Sequence, residues 1–132
     1  MSYARGPFCE PNPLQRACFA RLEWVLYEAG YGELPEIRLV TGLWQKTGPR
    51  SYVALHGLTA RNTIWLDACE GYTDFVETML HETAHAVAHR AAPEEAEEHS
   101  QLWGTIYARI YSGWLASGGP RTVLRKTPIR DA

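Results

Sequence analysis

The sequence predicts a single α+β domain in which one helix, a small antiparallel three-stranded sheet and two further helices follow in order. Three observations support this prediction. The length of 132 residues suits one domain. Apolar residues recur at helical spacing in three stretches, and short runs rich in β-branched and aromatic residues lie between the first two. We therefore expect an irregular N-terminal arm over residues 1–13, the domain over 14–118 and a basic tail over 119–132.

The first helix is predicted to begin at Leu14, because residues 1–13 carry three prolines that disfavour a regular element. Gly30 and Gly32 mark its end, since glycine commonly ends a helix. The apolar residues between them recur every three or four positions, which predicts one buried face: Leu14, Cys18, Leu22, Val25, Leu26 and Ala29.

Three extended segments are predicted after this helix, at residues 37–40, 51–55 and 62–66. Each is short and rich in aliphatic or aromatic residues. Stretches rich in glycine, proline and lysine separate them, as in a chain that reverses direction between strands. We expect these strands to form an antiparallel meander.

A second helix is predicted to begin at Thr73 or Asp74. Asp74 and Glu77 have the spacing of a capping box, in which two residues each bond the other's backbone N–H. The apolar positions that follow predict a buried stripe made of Val76, Leu80, Ala84 and Val87.

A third helix is predicted to begin at Pro93, since proline is favoured in the first turn. Four glutamates would lie near its positive N-terminal end, where the helix dipole stabilises them: Glu94, Glu95, Glu97 and Glu98. Its apolar face comprises Leu102, Trp103, Ile106, Ile110 and Trp114, and Gly118-Gly119-Pro120 is expected to end it.

Composition argues against several classes of protein. The net charge of −2 gives no overall basic field that would indicate nucleic acid as the main partner. Three cysteines without a C-x-x-C pair argue against a disulfide framework and a cysteine-built zinc module. The sequence has no run of about 18 apolar residues, and its N-terminus lacks the apolar stretch of a signal peptide. We expect a soluble, cytoplasmic protein without membrane contact.

Residues 81–85 read His-Glu-Thr-Ala-His, an H-E-x-x-H pattern inside the second predicted helix. Residues four apart lie on one face of a helix and about 6 Å apart along its axis, so His81 and His85 can bind one metal ion. Glu82 then projects beside the metal rather than onto it, where it can activate a water molecule. The pattern predicts one catalytic zinc ion.

A catalytic zinc ion needs a third protein ligand and one position open to water. His89 continues the series, but it would lie about 12 Å along the helix from His81, too far for a shared ion. His99 is better placed if the third helix turns back and packs against the second. Glu95, and behind it Glu98, are the alternative ligands, because carboxylates also bind zinc.

The H-E-x-x-H pattern followed by His99-Ser100-Gln101-Leu102-Trp103 resembles the SprT-like (Spartan-type) zinc metallopeptidase domain of the zincin superfamily. In that family the third ligand lies in an H-G-x-x-[FW] stretch, which assigns it to His99. Ser100 replaces the usual glycine. The cysteine ribbon of some relatives is missing, so their DNA-repair role is not expected here. The resemblance implies a zincin-like minimal fold over residues 14–117 and an origin in a phage or mobile element.

The resemblance further implies a zinc metalloendopeptidase that hydrolyses peptide bonds with zinc-activated water. Glu82 would accept the proton of that water and pass it to the departing amine. Tyr107, Tyr111 and His56 are the candidate donors to the oxyanion. An extended protein or peptide substrate would add to the sheet beside residues 62–67.

Two other functions are compatible with the same scaffold. One is a non-catalytic module that binds zinc or a partner, although the presence of Glu82 argues against it. The other is a nucleic-acid-associated protein that contacts phosphates weakly through the basic tail, which contains Arg121, Arg125, Lys126 and Arg130.

Overall fold

The computed structural model describes residues 3–95 and 99–118, and the predicted basic tail, 119–132, lies outside them. The fold is α+β, as the sequence predicts. The described residues form helices α1 (Pro13–Ala29), α2 (Tyr72–Ala91) and α3 (Gln101–Ala116). Their strands are β1 (Tyr3–Arg5), β2 (Glu36–Val40), β3 (Leu43–Gly48), β4 (Ser51–Ala54), β5 (Gly57–Ala60) and β6 (Thr63–Asp67). None of these helices is long and apolar enough to cross a bilayer.

The strands form two three-stranded sheets rather than the single antiparallel meander that we predicted. The inner sheet has the order β2-β6-β5, with β2 parallel and β5 antiparallel to β6. The outer sheet has the order β1-β3-β4 and is antiparallel throughout. The prediction was wrong because it missed β3 and β5, neither of which contains the valine or isoleucine typical of strands.

The N-terminal arm is also more regular than we predicted. Its residues Tyr3–Arg5 form β1, which pairs with β3. Phe8 forms an isolated bridge with Val40, and the N–H of Cys9 donates to the carbonyl of Leu39 at 3.1 Å. Prolines limit the length of each paired stretch, but the N–H groups between them still find partners. The arm therefore links the outer sheet to β2 of the inner sheet.

Helix α1 confirms the sequence prediction closely. Asn12 is its N-cap, and the side chains of Asn12 and Gln15 bond each other's backbone N–H at 2.7 and 2.9 Å, which is a capping box. Gly30 ends the helix in the left-handed region, at φ 78°. The middle of the predicted apolar face is buried, and it consists of Cys18, Leu22, Val25 and Leu26.

Helix α2 begins slightly earlier than predicted, with Gly71 as N-cap and no side-chain cap. The predicted capping box of Asp74 and Glu77 does not form. Because the helix starts earlier, Asp74 lies within the first turn, where the positive end of the helix dipole stabilises its charge. The predicted buried stripe is confirmed in full at Val76, Leu80, Ala84 and Val87.

The hydrophobic core lies where α2 packs against β5, β6 and α3 and where α1 packs against α3. Arg21 links α1 to the end of α3. Its guanidinium donates to the carbonyl of Trp114 at 2.7 Å and to the hydroxyl of Ser117 at 2.8 Å. This cation lies at the C-terminal end of α3, where the helix dipole favours positive charge. The fully buried core residues include Leu22, Leu26, Ile64, Leu66, Met79, Leu80 and Ile110.

The third helix begins later than we predicted. Pro93–Glu95 form a single 3-10 turn, and α3 starts only at Gln101. Ser100 is its N-cap, and the Ser100 hydroxyl oxygen accepts from the N–H of Trp103 at 3.2 Å. Residues 96–98 lie outside the described residues. The prediction was wrong because it took Pro93 as the start of an α-helix, although proline suits a short 3-10 turn as well. The start is marked instead by Ser100, whose hydroxyl satisfies an N–H that the helix leaves unpaired.

Candidate metal centre

Two imidazoles of the predicted metal site lie on one face of α2. His81 and His85 are one turn apart, and their ring centroids are separated by 5.1 Å. Both side chains are half-buried. The regular α-helical backbone alone sets this separation, because a rise of about 1.5 Å per residue places positions four apart nearly above one another.

His99 completes the group from a different element. We had expected His99 to lie within the third helix, but it lies directly before Ser100, the N-cap of α3. Its ring centroid is 4.9 Å from that of His81 and 5.0 Å from that of His85. The potential ligand atoms of the three histidines all lie within 4.8 Å of one another. The structure therefore brings together the three residues that the sequence singled out.

The three side chains fit a zinc ion. In a tetrahedral site with Zn–N bonds of about 2.0–2.1 Å, ligand nitrogens lie about 3.4 Å apart. The present separations are close enough for small side-chain rotations to reach that distance. Three nitrogen ligands leave a fourth position for water or substrate, which is typical of a catalytic site rather than a closed structural one.

Of the other ligands considered from the sequence, only His89 has a side chain within the described part of the chain. His89 does not belong to the imidazole group, as expected from its distance along α2. The backbone of Glu95 ends the 3-10 turn, but its side chain and the whole of Glu98 lie outside the described part of the chain.

The electrostatic environment keeps His81 neutral. Burial, followed by charge repulsion from the nearby His85 and His99, lowers the pKa of its imidazole to about 4. A neutral imidazole has a lone pair to donate, which is the form that binds a metal. The clustering that disfavours protonation of His81 therefore leaves its lone pair available to a metal ion.

Trp103 packs against all three imidazoles, a role that the sequence did not reveal. Its ring centroid lies 4.4 Å from that of His99, 5.0 Å from that of His81 and 5.2 Å from that of His85. Its indole N–H donates to the carbonyl of His81 at 3.4 Å. The spacing of four between His99 and Trp103 was the available signal. The indole covers one side of the group and restricts how the rings can turn.

The Glu82 side chain contacts the inner sheet at β5. The hydroxyl of Thr59, on β5, lies 2.5 Å from Oε1 of Glu82 and 3.0 Å from the Glu82 carbonyl oxygen. Burial raises the pKa of the Glu82 carboxyl, and the hydrogen bond from Thr59 opposes that rise. Sequence reasoning missed Thr59 because it left residues 57–60 without a strand.

Strand β5 approaches α2 closely at Gly57. A Cβ atom on Gly57 would lie 2.5 Å from Cγ2 of Thr78 and 3.0 Å from Cγ of Glu82. Only glycine allows this approach without a shift of the helix or the strand. The missing side chain therefore brings β5 within hydrogen-bonding distance of Glu82.

The candidate oxyanion donors occupy different positions. Tyr107 stacks on Trp103 at 5.0 Å, and its ring centroid lies 6.0 Å from that of His81. Tyr111 is one turn further away, 5.8 Å from Tyr107. His56 lies in the link between β4 and β5, where its Nδ1 contacts Oε2 of Glu70 at 2.9 Å. Of the two tyrosines on α3, Tyr107 has its ring beside the imidazole group.

The edges of the inner sheet are β2 and β5, and the N-terminal arm bridges β2 at Val40. Residues 62–67 include the central strand β6, which pairs with β2 on one side and β5 on the other, so the predicted substrate position beside them is wrong. Trp65 of β6 lies on the face opposite to the buried Ile64 and Leu66, with the Arg5 guanidinium 5.5 Å from its ring centroid. An added strand would instead lie beside β5, the strand that contacts Glu82.

The chain matches no protein-family model, no curated protein and no solved structure. The chemical argument therefore depends on the geometry of the site. Three imidazole nitrogen donors lie within 4.8 Å of one another, and the half-buried carboxylate of Glu82 lies on the residue after His81. This arrangement can hold a divalent transition metal and move a proton beside it.

Proposed function

We propose that this chain is a zinc-dependent metallopeptidase of the SprT-like, zincin type. The observation that carries the proposal is the convergence of His81, His85 and His99, whose ligand atoms lie within 4.8 Å of one another. When bound, zinc would acidify a water molecule and polarise the carbonyl of the peptide bond. A fold that delivers two ligands from one helix and the third from the start of the next element supports the zincin-like assignment.

In this proposal Glu82 moves the protons of the reaction. It accepts one from the attacking water as general base and then donates it to the departing amine as general acid. The pKa of Glu82 is raised by burial, which makes its carboxylate a better base than an exposed glutamate. Tyr107 is the preferred donor to the oxyanion, since its ring lies 6.0 Å from that of His81.

The substrate of this proposed enzyme is an extended stretch of protein that pairs with β5. The outward N–H and C=O groups of this edge strand are the means of recognition. Pairing through the main chain reads little sequence, so we expect broad specificity. β5 contacts α2 beside Glu82, which would bring a peptide bond of the added strand close to the proton-transferring group.

The decisive experiment compares purified wild-type protein with Glu82→Gln. Glutamine keeps an acceptor oxygen for the hydroxyl of Thr59 but cannot take a proton. We expect one zinc per chain by elemental analysis in both proteins, and casein cleavage reduced at least about 100-fold in the variant. Glu23→Gln, on the exposed face of α1, is the matched control and should cleave like wild type.

The outcome separates three functions. Equal cleavage by wild type and Glu82→Gln would refute the proposed mechanism. Zinc in both proteins without cleavage by either would favour a non-catalytic zinc module. Salt-dependent DNA retention that is lost on deleting residues 120–132, without cleavage by the intact chain, would favour the nucleic-acid alternative.

A second comparison identifies the third ligand. His99→Ala should lose zinc, whereas His89→Ala should retain it, because only His99 belongs to the converging group. Glu95→Ala should also keep its metal. Zinc loss in Glu95→Ala with retention in His99→Ala would reverse the assignment.

A further inference from the structure

We propose that Thr59 is a positioning residue, whose hydroxyl fixes the Glu82 carboxylate on the strand where substrate pairs. The inference rests on the proposed function and deepens it, since it concerns the same site. It assigns to β5 two roles at once, as the edge that holds the substrate backbone and as the support of the proton-transferring group.

The register of the inner sheet directs the Thr59 side chain to α2. Thr59 pairs with Ile64, which is fully buried, and paired residues point to the same face of a sheet. Gly57, two residues earlier on that face, lets α2 come close enough for the contact. The position of the Thr59 hydroxyl is therefore set by strand pairing and not by a mobile loop.

The contact joins the Thr59 hydroxyl to Glu82 at two atoms. Oγ1 of Thr59 lies 2.5 Å from Oε1 of Glu82 and 3.0 Å from its carbonyl oxygen. A hydroxyl has one proton, so it donates to only one of these acceptors at a time. With Glu82 ionised, donation to the carboxylate is the stronger bond because the acceptor is charged. With a proton on Glu82, the carboxyl can donate to Oγ1 while Oγ1 donates to the carbonyl.

This geometry holds one carboxylate oxygen in place and orients the other. Within the described residues, Thr59 is the hydrogen-bond partner that the structure gives to the Glu82 side chain. A glutamate side chain has three rotatable bonds, so without this bond its carboxylate would sample several positions. Displacement of a reacting group by about 1 Å can cost about 100-fold in rate.

The location on β5 predicts which kinetic constant changes. Substrate would pair through the backbone of β5, and replacing the Thr59 side chain leaves that backbone intact. Loss of the hydroxyl should therefore lower kcat and leave KM unchanged, because it misplaces the base without weakening substrate pairing.

The test compares Thr59→Val, which keeps the shape and removes the hydroxyl, with Thr59→Ser, which keeps the hydroxyl. We expect kcat for casein or a fluorogenic peptide to fall about 10- to 100-fold in Thr59→Val, with KM and zinc content unchanged. Thr59→Ser should restore most of the loss. Thr63→Val is the matched control on the neighbouring strand, since its hydroxyl bonds Glu36 at 3.1 Å on the surface.

A double-mutant cycle completes the experiment. In the Glu82→Gln background, Thr59→Val should have little further effect, because the two residues act as one unit. An active wild type with an unchanged kcat in Thr59→Val would overturn the positioning role alone. Loss of zinc in Thr59→Val would also overturn it, because that result would indicate a role in the scaffold. The same holds if kcat falls as far in Thr59→Ser as in Thr59→Val. A zinc-free or inactive wild type would instead refute the proposed function, and this inference with it.

Discussion

The two sheets have the same number of strands, but they differ in what covers them. In the inner sheet, Ile64 and Leu66 are fully buried, and the sheet packs against α2 through β5 and β6. In the outer sheet, every residue of β4 is exposed, and Tyr52 and Val53 keep about half of their surface in water, at 52% and 51%. The candidate site lies on α2 and before α3, and the sheet that contributes Thr59 to it is the inner one, which is packed against α2.

The largest expected effect is the difference in stability cost between a buried residue of the inner sheet and a half-exposed residue of the outer sheet. Leu66→Ala removes a fully buried side chain from the inner sheet and should lower the free energy of unfolding by about 2–5 kcal/mol. Val53→Ala in the outer sheet should cost under about 0.5 kcal/mol, because the valine is half exposed. Urea denaturation followed by circular dichroism measures both. Similar losses at the two positions would show that the outer sheet shares the core.

A smaller effect tests the fit between the inner sheet and α2. Gly57→Ala would place Cβ 2.5 Å from Cγ2 of Thr78, and this overpacking should cost about 1–3 kcal/mol. Gly104→Ala is the control, because no atom lies within 4 Å of its added Cβ. In a helix this change should stabilise the protein by up to about 1 kcal/mol. Thermal unfolding compares the two variants, and equal stability would argue against a close approach at Gly57.

The smallest effect concerns the link between the two sheets. The hydrogen bond and charge of Glu70 raise the pKa of His56 above 6.5. The protonated pair therefore stabilises the fold below about pH 6.5, and the contribution is lost as pH rises through the raised pKa. His56 is 66% exposed, so the contribution should stay under about 1 kcal/mol.

The stability difference between wild type and His56→Ala measures this contribution. Unfolding by urea should show a larger difference at pH 5.5 than at pH 9. Glu70→Gln should show the same trend. A difference that grows toward alkaline pH would contradict the assigned pair.

Local signals in the sequence were sufficient for α1 and α2. The periodic apolar residues, and glycine at the end of α1, act within one or two turns, so a single stretch of sequence contains them. The same reasoning gave the spacing of His81 and His85. That reasoning left His99, Glu95 and Glu98 open as the third ligand, and the resemblance to the SprT-like pattern assigned it to His99, although not to a place ahead of α3.

The strand partners could not be predicted in this way. β2 pairs in parallel with β6 although 22 residues separate Val40 from Thr63, and nothing in either segment specifies its neighbour. Short strands such as β5 carry too few apolar residues to show alternation. The contact of Thr59 with Glu82 and the proposed substrate edge were missed for this reason, since the first joins residues 23 positions apart and the second depends on the order of strands in the sheet.

The position of His99 has a consequence for how the protein would respond to a chelator. His81 and His85 are already held by a helix, whereas along the chain 13 residues separate His99 from His85. A shared ion would close this stretch into a ring, so its binding energy would also be folding energy for this end of the domain. Removal of the metal by a chelator would then loosen the start of α3 and also abolish the proposed peptide hydrolysis.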